Sequence, residues 1–553
     1  MKAREYFKSG EAYVWLNAGT VAISLIMVLG VLGLIAVRGL GYFWPADVMQ
    51  ASYLAPGSTA SELVLAEVKD SRFDTAKRLQ ESGIIVPEGI DSIERISLKQ
   101  GNRDQGGAEF RSVFADGLSQ IQHPEDIVVL ERNEYGNFYG RLKSVSENGT
   151  VVATGPSAWD QLQARIDRSN DLIAQKLVIE KGEIGHINYG LEQLRLEEKK
   201  LTLKNALTDA DTQRMNAERS ELDAQYAKIT SELDSLKAAT SRDSATFVTI
   251  QGTEVTIPLA NIIEATQPNA MNVFQKVGHY GKNLWKFLSG DPREANTEGG
   301  IFPAIFGTIL MVLMMTVLVT PLGVIAAIYL REYASQGAVT QIVRIAVNNL
   351  AGVPSIVYGG FGLGFFVYFL GGSIDELFYP EAAPAPVFGT PGLLWASITL
   401  ALLTLPVVIV STEEGLSRIP RALKEGSLAL GATKAETLWR VILPMATPSI
   451  LTGVILAIAR AAGEVAPLML VGVVKLAPTL PLDMNAPFLH LERKFMHLGF
   501  HIYDVGFQSP NVEAARPLVY ATAFLLVTVV VALNLSAISL RNRLREKYKA
   551  LEN

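Results

Sequence analysis

Six apolar runs constrain this chain more than any other feature of its sequence. About twenty residues at ~1.5 Å rise per residue cross a ~30 Å hydrocarbon core as a helix, and each run is close to that length or longer. The runs lie at Ala18–Val37, Ile301–Tyr329, Ile342–Leu370, Leu393–Ser411, Ile450–Val474 and Leu518–Leu540. The sequence therefore predicts a mainly α-helical, polytopic membrane protein with six transmembrane helices.

The first apolar run is interpreted as a membrane anchor. Lys2, Arg4 and Lys8 precede it, as they would precede a secretory signal peptide. The run is long, however, and Arg38, Leu40 and Tyr42 follow it instead of a small-residue cleavage site. We expect residues 1–44 to form a cytoplasmic N-terminus and the first transmembrane helix.

The distribution of positive charge predicts the orientation of the spans. The short loop from Gly371 to Pro391 has no Lys or Arg, whereas the loop after the fourth run and the C-terminal tail are basic. The basic residues are Arg418, Arg421, Lys424, Lys434 and Arg440 in the loop, and Arg541, Arg543, Arg545, Lys547 and Lys549 in the tail. Positively charged loops stay in the cytoplasm, so both termini are predicted there and residues 45–298 on the opposite side.

Residues 45–298 contain no run that could span a membrane, and their patterns predict an α+β insert. Short strands are expected at Asp126–Leu130, Asn137–Val145, Thr150–Ala153, Phe247–Ile250 and Glu254–Ile257. Asn148-Gly149 is a two-residue hairpin turn signal between two of them. It also begins an Asn-x-Thr glycosylation acceptor, but the turn explains the residues without modification.

A charged helical segment at about 158–240 separates the two groups of predicted strands. Apolar residues recur there at three- and four-residue spacing, at Ile184, Ile187, Leu191, Leu194 and Leu201, and at Leu222, Tyr226, Ile229, Leu233 and Leu236. The spacing breaks at Asn205–Asp211. We therefore predict an antiparallel helical hairpin about 60–70 Å long that projects from a small β domain.

Composition excludes several function classes. The net charge of −6 argues against a nucleic-acid partner. The chain has no cysteine, which excludes a disulfide framework, a thiolate nucleophile and a zinc–cysteine site. It also lacks a G-x-x-x-x-G-K-[ST] string, so the chain is predicted to be no ATPase and no enzyme, and to bind no cofactor itself.

The polar loop at 412–448 carries the local signals of a helix, a turn and a second helix. Pro420 suits a first helical position, and Gly431 suits the left-handed residue after a helix end. Thr433 and Glu436 have the spacing of a capping box, which starts the second helix. Pro444 and Pro448 are expected to end that helix.

These residues resemble the EAA loop of ABC-importer permeases. Glu425, Gly431, Val441, Leu443 and Pro444 fall at the spacing of its pattern, E-x-x-x-x-x-G, nine residues, then I-x-L-P. Gly426 and Ser427 replace two alanines of that pattern, and Val441 replaces the isoleucine. In that family the loop docks into a cytoplasmic ATPase. The resemblance implies an ATPase-coupling role for Glu425, Gly431, Leu443 and Pro444 and a type I importer core at 299–540, followed by a basic cytoplasmic tail at 541–553.

Arg460 and Glu464 are the ionisable residues of the fifth apolar run, four residues apart on one predicted helix face. Ionisable groups at membrane depth are rare and usually mark a substrate path or pair with each other. An arginine fork fits tetrahedral oxyanions. The spacing alone leaves both a substrate pathway and a structural ion pair open.

The stretch from Ala429 to Leu470 is similar to A-type permeases of the phosphate-specific transport system, with GEVAPL where that type has GETAPL. Asn348–Gly364 and Gly299–Thr308 are similar to the same family. The resemblance implies phosphate import in a bacterial inner membrane, with a periplasmic insert and a phosphate pathway through Arg460 and Glu464. It implies four partners: a C-type permease subunit, a cytoplasmic ATP-binding dimer, a periplasmic phosphate-binding protein and membrane lipid.

Alternatives remain at this point. Another oxyanion, such as sulfate or molybdate, would suit the same arginine, and the insert would suit a membrane sensor or scaffold. His497 and His501 have i,i+4 spacing and could share a metal, but we favour a surface location for them. Gly359, Gly360, Gly362 and Gly364 are interpreted as a helix-packing face and not as a phosphate cradle.

Overall fold

The computed structural model describes residues 11–81, 91–106, 108–509 and 512–549. The chain divides into two compact units. The helical unit comprises the chain up to Tyr42, Ser289–Thr297 and the chain from Ile301 onwards. The inserted unit comprises Phe43–Leu288 and Glu298–Gly300, and therefore interrupts the helical unit after its first long helix.

Six helices of the described residues are long and apolar enough to cross a membrane, which confirms the predicted fold class. They are Tyr13–Gly41, Phe302–Tyr333, Ser355–Phe378, Leu393–Ser417, Lys434–Gly463 and Ala515–Leu544. Shorter helices of this unit are Ala338–Leu350, Arg421–Ala429, Leu468–Val471 and Leu498–Tyr503. The last long helix as a whole runs over Val512–Lys549.

The third span begins later than its apolar run indicated. The run Ile342–Leu370 contains two helices, because Ala338–Leu350 ends before the third span starts at Ser355. Pro354 precedes that start with an extended backbone, and proline is incompatible with the interior hydrogen bonds of a helix. The prediction of a single helix here was wrong.

The fifth span also differs from the prediction of Ile450–Val474. It runs from Lys434 to Gly463 without a break, so Pro444 and Pro448 do not end the helix that starts at the loop. A π turn at Leu438–Ile442 lies directly before Pro444. Such a widened turn is where a helix accommodates a disturbed hydrogen-bond ladder, and proline disturbs it through its missing N–H.

The core of the helical unit lies between Phe302–Ile328, Leu393–Ser417 and Leu443–Gly463. Small residues allow these helices to approach closely. A Cβ added to Gly453 would lie 2.6 Å from the Cβ of Ser411, and one added to Gly323 would lie 2.6 Å from Cγ1 of Val408. Close packing of small residues is the common way in which membrane helices associate.

The inserted unit contains two antiparallel sheets. Their strands are β1 (Val48–Leu54), β2 (Ser61–Thr75), β3 (Ser92–Lys99), β4 (Phe110–Phe114), β5 (Leu118–Gln122), β6 (Ile127–Arg132), β7 (Phe138–Glu147), β8 (Thr150–Thr154), β9 (Asp243–Val248), β10 (Glu254–Pro258) and β11 (Ile262–Thr266). The first sheet has the order β4-β3-β2-β1-β5, and the second has the order β10-β9-β7-β6-β11 with β8 paired to β7. Two-residue strands lie at Pro292–Arg293 and Glu298–Gly299.

The second sheet contains the strands that the sequence predicted. Asn148 and Gly149 form its β7–β8 turn with φ of 48° and 78°, the left-handed pair that this turn type requires. The first sheet was not predicted. The short helix Ala76–Glu81 directly follows its strand β2.

The predicted helical hairpin is present. Its outgoing arm consists of Ser157–Val178 and Ile184–Leu203, joined by a π turn, and its return arm is Asp209–Thr240. Thr208 starts the return arm in a capping box with Asp211. The outgoing arm is longer, because its first turns bury Leu162 and Ile166 against the second sheet. At 1.5 Å per residue the outgoing arm, residues 157–203, is about 70 Å long and the 32-residue return arm is about 48 Å long, so only the outgoing arm reaches the predicted 60–70 Å.

Candidate functional site

The loop at 412–448 forms a helical elbow, here defined as Pro420–Ile442. Its first helix is Arg421–Ala429, with Pro420 as the N-cap and not as the first helical residue. The helix ends in a Schellman motif: the Ala432 N–H donates to the Ser427 carbonyl at 3.3 Å, and the Gly431 N–H donates to the Leu428 carbonyl at 3.0 Å. Gly431 has a φ of +92°, as this motif requires.

A capping box starts the second helix of the elbow. The Glu436 N–H donates to Thr433 Oγ1 at 3.2 Å, and the Thr433 N–H donates to Glu436 Oε2 at 2.8 Å. Ser427 and Thr437 join the two helices through their hydroxyls at 2.9 Å. The elbow is therefore fixed by backbone and side-chain hydrogen bonds on both sides of the turn.

Glu332 anchors the elbow to the end of the second span. Its buried carboxylate pairs with the Lys424 ammonium, and its carbonyl accepts a hydrogen bond from Lys434 Nζ at 2.6 Å. Lys434 also lies 4.2 Å from the centroid of the Tyr333 ring. Glu332 could not be predicted from the sequence, because nothing in its local pattern connects it with a loop ninety residues later.

The elbow exposes several large apolar side chains. Leu430 is 90% exposed and Trp439 is 72% exposed, with Leu423 and Leu428 also open. Glu425 is exposed on the first helix. An apolar surface with a polar surround is typical of a protein contact site.

The four residues with the implied coupling role do not lie together. Glu425 and Gly431 belong to the first helix and the turn. Leu443 is half-buried further along the fifth span and packs against the helical core, and Pro444 is half-buried beside it. Leu443 therefore holds the span in place, whereas Glu425 faces outwards.

Arg460 and Glu464 form an ion pair, with Arg460 Nε 3.6 Å from Glu464 Oε1. They do not share a helix face, which corrects the prediction. Arg460 lies in the last helical turn of the fifth span, while Glu464 is the first residue beyond it, with extended backbone. The helix ends there because Glu464 leaves the helical conformation and Pro467 follows closely. A cation in a last turn also interacts favourably with the helix dipole.

Both members of the pair are partly exposed. The exposed side-chain fractions are 34% for Arg460 and 23% for Glu464. Tyr358, from the third span, is buried and lies within electrostatic range of Arg460. Gly359 and Gly362 lie beside Tyr358. A Cβ added to Gly359 would lie 2.7 Å from Pro467 Cα, and one added to Gly362 would lie 2.4 Å from Thr399 Oγ1. Two of the four glycines thus serve close helix packing, whereas Gly360 and Gly364 have open space around them.

His497 and His501 are buried, so their predicted surface location was wrong. They are 1% and 3% exposed. Burial lowers the pKa of each from 6.5 to about 4, which keeps both rings neutral. His497 is the N-cap of Leu498–Tyr503 and accepts a hydrogen bond from the Gly499 N–H at 3.1 Å. Among the described residues there is no group of three acidic or histidine side chains that could hold a metal ion.

A buried carboxylate near His501 is a further feature that no local sequence pattern predicts. Asp504 is 1% exposed, and its Oδ2 lies 3.1 Å from Lys475 Nζ and 3.2 Å from Asn296 Nδ2. The Asn296 amide also donates to the Lys475 carbonyl at 2.8 Å. These contacts join the segment before the second span to the loops around the last two spans.

The comparisons with known proteins identify the family of the chain. Residues 319–549 match the family described as binding-protein-dependent transport system inner membrane component. The chain is 35% identical over 245 residues to "Phosphate transport system permease protein PstA 1" of Mycobacterium tuberculosis (strain CDC 1551 / Oshkosh), a match that covers 44% of this chain and 71% of the relative. The chain therefore belongs to the family of inner-membrane permease components of binding-protein-dependent ABC importers.

Further relatives carry the same kind of name. The chain is 37% identical over 190 residues to "Phosphate transport system permease protein PstA" of Yersinia pestis, which covers 34% of this chain and 58% of that relative. Among solved structures, an inward-facing MetNI methionine ABC transporter is 18% identical and covers 47% of this chain and 97% of that chain, with a TM-score of 0.32. The permeases of this family are non-catalytic membrane subunits. A separate ATPase hydrolyses the ATP, and the permeases bind no cofactor.

Proposed function

We propose that the chain is the A-type permease subunit of an ATP-driven phosphate importer and forms half of its translocation pathway. Family membership and the names of the relatives support phosphate as the substrate. The proposed partners are a paralogous C-type permease, a cytoplasmic ATPase dimer and a periplasmic phosphate-binding protein. The termini are proposed to be cytoplasmic, and the insert, at about 45–298, periplasmic.

The elbow is the observation that carries the coupling role. It is a rigid two-helix turn, tied to the second span through Glu332 and continuous with the fifth span. A displacement of its exposed residues Leu430 and Trp439 by a bound partner would therefore move two spans. Closure of the ATPase dimer on this surface would drive the permease between outward- and inward-facing states, with Glu425 and Gly431 at the contact and Leu443 and Pro444 transmitting it.

Arg460 is proposed to receive the phosphate ion at the far end of the fifth span, with Glu464 as its partner when the site is empty. A guanidinium that faced lipid would cost about 2.5–3.5 kcal/mol or more at membrane depth. The exposed part of Arg460 is therefore expected to face an aqueous path shared with the second permease subunit. Its planar donors match a tetrahedral oxyanion.

Transport by the reconstituted importer tests this function. The chain would be co-purified with its ATPase and second permease, placed in vesicles containing ATP, and supplied with binding protein and labelled phosphate. We expect uptake that excess sulfate or molybdate does not reduce. Competition by either ion would assign the importer to another oxyanion, and an assembled complex without uptake of any of them would favour a sensor or scaffold.

A further inference from the structure

The helix Val273–Ser289 has an exposed apolar face that the importer function does not use. Val273, Phe274, Val277 and Trp285 are 68%, 88%, 53% and 69% exposed. Phe274, Val277 and Trp285 follow at intervals of three and eight residues, so they lie on one side of the helix. Gly278 and Gly281 lie between them, and a Cβ on either would have nothing within 4 Å. We call Phe274, Val277 and Trp285 the apolar stripe.

The opposite face holds the helix firmly on the inserted unit. Phe287 is buried, with its ring centroid 5.0 Å from that of Phe43, and Tyr280 packs edge-on against the same ring at 6.4 Å. Oε1 of Glu264, in β11, lies 2.8 Å from Lys282 Nζ, and the same carboxylate also pairs with Lys286. Burial alone would raise the pKa of Glu264, but Lys286 and Lys282 hold it below its usual value. The stripe therefore remains exposed on a fixed helix.

Chain connectivity keeps this helix close to the membrane. The first span ends at Gly41, and Phe43, only two residues later, is the ring that packs on Phe287 and Tyr280. Two residues reach at most about 7 Å. The second span starts at Phe302, a short connection after the helix ends at Ser289. The chain thus leaves the membrane two residues before a side chain that packs on this helix.

The composition of the helix fits a lipid surface. Trp, Phe and Tyr side chains concentrate at membrane–water boundaries, and Tyr42, Phe43 and Trp44 already follow the first span. Lys282 lies between the stripe and the packed face, with 59% of its side chain exposed. An amphipathic helix with an aromatic stripe and a lysine beside it is typical of a helix that lies in the headgroup region.

We propose that Val273–Ser289 is an interfacial helix, with its apolar stripe immersed in the boundary between lipid headgroups and acyl chains on the side of the inserted unit. The stripe fixes the base of the inserted unit to the bilayer surface and limits how it can tilt about its two connections. This role depends on the six spans and not on which ion is transported.

Spin labels on the complete chain test the proposal. Because the chain has no cysteine, single-cysteine variants carry one label each. Phe274→Cys and Val277→Cys report the stripe, Gln275→Cys reports the exposed polar flank of the same helix, Asp223→Cys reports the hairpin, and Ile26→Cys reports the first span. The labelled proteins are placed in vesicles of phosphatidylethanolamine and phosphatidylglycerol at a 3:1 ratio, a ratio chosen for about 25% anionic lipid.

Accessibility to oxygen and to a water-soluble nickel complex gives the depth of each label. We expect the nickel accessibility at 274 and 277 to be several-fold lower than at 223, with oxygen accessibility between those of 223 and 26. Position 275 should resemble 223 more than it resembles 274. Phe274→Asp should raise nickel accessibility at 277, whereas the matched Phe274→Leu should leave it low.

Two results would overturn the proposal. Nickel accessibility at 274 and 277 equal to that at 223 would place the stripe in water. Protection that appears only when the second permease subunit is present would show that the stripe packs on protein instead of lipid.

Discussion

At the scale of single residues, Gly431 is the position on which the elbow depends. Its φ of +92° is accessible to glycine but costs other residues about 1–2 kcal/mol, and β-branched residues more. Gly431→Val has no steric obstacle, since nothing lies within 4 Å of an added Cβ, so its effect is confined to the backbone. We expect normal membrane insertion but loss of ATPase binding and of uptake.

The matched control is Gly426→Ala in the first elbow helix. Gly426 also has open space, but its backbone is helical, so alanine is expected to stabilise that helix by about 0.5–1 kcal/mol. Co-purification with the ATPase measures both variants. Equal ATPase binding by Gly431→Val and Gly426→Ala would show that the turn does not form the docking surface.

Arg460 and Glu464 allow a substrate path to be distinguished from a structural ion pair. Exchanging them, as Arg460→Glu with Glu464→Arg, preserves one pair but moves the guanidinium out of the helical turn onto extended backbone. A structural pair should tolerate the exchange better than either single change, because a single change leaves one charge unpaired. A phosphate path should not tolerate it. We expect all three variants to lose uptake while the exchanged protein still assembles with its ATPase.

Arg460→Lys is the conservative comparison for that experiment. It keeps the charge but loses the planar set of donors, so partial uptake at best is expected. Near-normal uptake by the exchanged protein would mean that Arg460 and Glu464 serve only the structure.

The two buried histidines make stability depend on pH. Both lie outside the six long helices, and burial lowers the pKa of each in the folded state from 6.5 to about 4. The unfolded chain then binds more protons below pH 6.5, so stability that is fully present above pH 6.5 is lost as the pH falls towards 4. The loss at pH 5 is about 2 kcal/mol for each histidine.

Thermal unfolding of the chain in lipid nanodiscs at pH 7 and pH 5 measures this loss. His497→Asn keeps an N-cap residue for Leu498–Tyr503 but removes one titrating ring. We expect a smaller drop in Tm between the two pH values for this variant than for the native chain. An unchanged drop would place the acid sensitivity elsewhere.

At the scale of elements, the sequence predicted those features whose signals are local or long. Six apolar runs gave six spans, the Asn148-Gly149 pair gave a turn, and Gly431 with Thr433 gave the elbow. The predicted helix boundaries near proline residues were wrong in two opposite ways. Pro354 starts a new helix, while Pro444 and Pro448 lie inside one, because a π turn at Leu438–Ile442 precedes them.

Contacts between distant segments could not be predicted from local patterns. The first sheet pairs strands of low hydrophobic contrast, such as β2, whose central residues alternate poorly between buried and exposed. Glu332 and Asp504 acquire their roles only from residues far away in sequence, Lys424 and Asn296. Arg460 and Glu464 do not share a helix face as predicted, because the helix ends between them.

The helical hairpin can be shortened where its two arms touch. An added Cβ on Gly190 would lie 3.1 Å from Leu222 Cδ1, so the arms are adjacent there. Deleting Leu191–Glu221 and joining the ends with a short Gly/Ser linker should leave the inserted unit folded. We expect reduced, not abolished, phosphate uptake, through weaker docking of a periplasmic partner.

A larger deletion, Trp159–Leu236, serves as the contrast. It removes Leu162 and Ile166 from the core of the second sheet, and each such loss costs about 2–5 kcal/mol. Limited proteolysis and uptake assays compare the two proteins. An unfolded insert after the shorter deletion would show that the outer hairpin is itself structural.

At the scale of the whole molecule, the number of crossings restricts the topology. Asp223 follows the first span, Glu376 lies in the last turn of the third and Arg418 follows the fourth, so Asp223 and Glu376 share one side of the membrane and Arg418 lies on the other. The number of crossings alone does not determine which side is the cytoplasm. The basic residues around Arg418 and in the tail predict that they lie in the cytoplasm, because positively charged loops are retained there.

Cysteine labelling tests this orientation without background, since the native chain has no cysteine. All three positions are exposed, with 76% of the Arg418 side chain open. In intact spheroplasts a membrane-impermeant maleimide should label Asp223→Cys and Glu376→Cys at once, and Arg418→Cys only after permeabilisation. The reverse pattern would place the elbow outside, where no ATP is available, and would contradict ATPase coupling. Labelling of Asp223 and Glu376 from opposite sides would contradict the six-span fold itself, because two further crossings separate them.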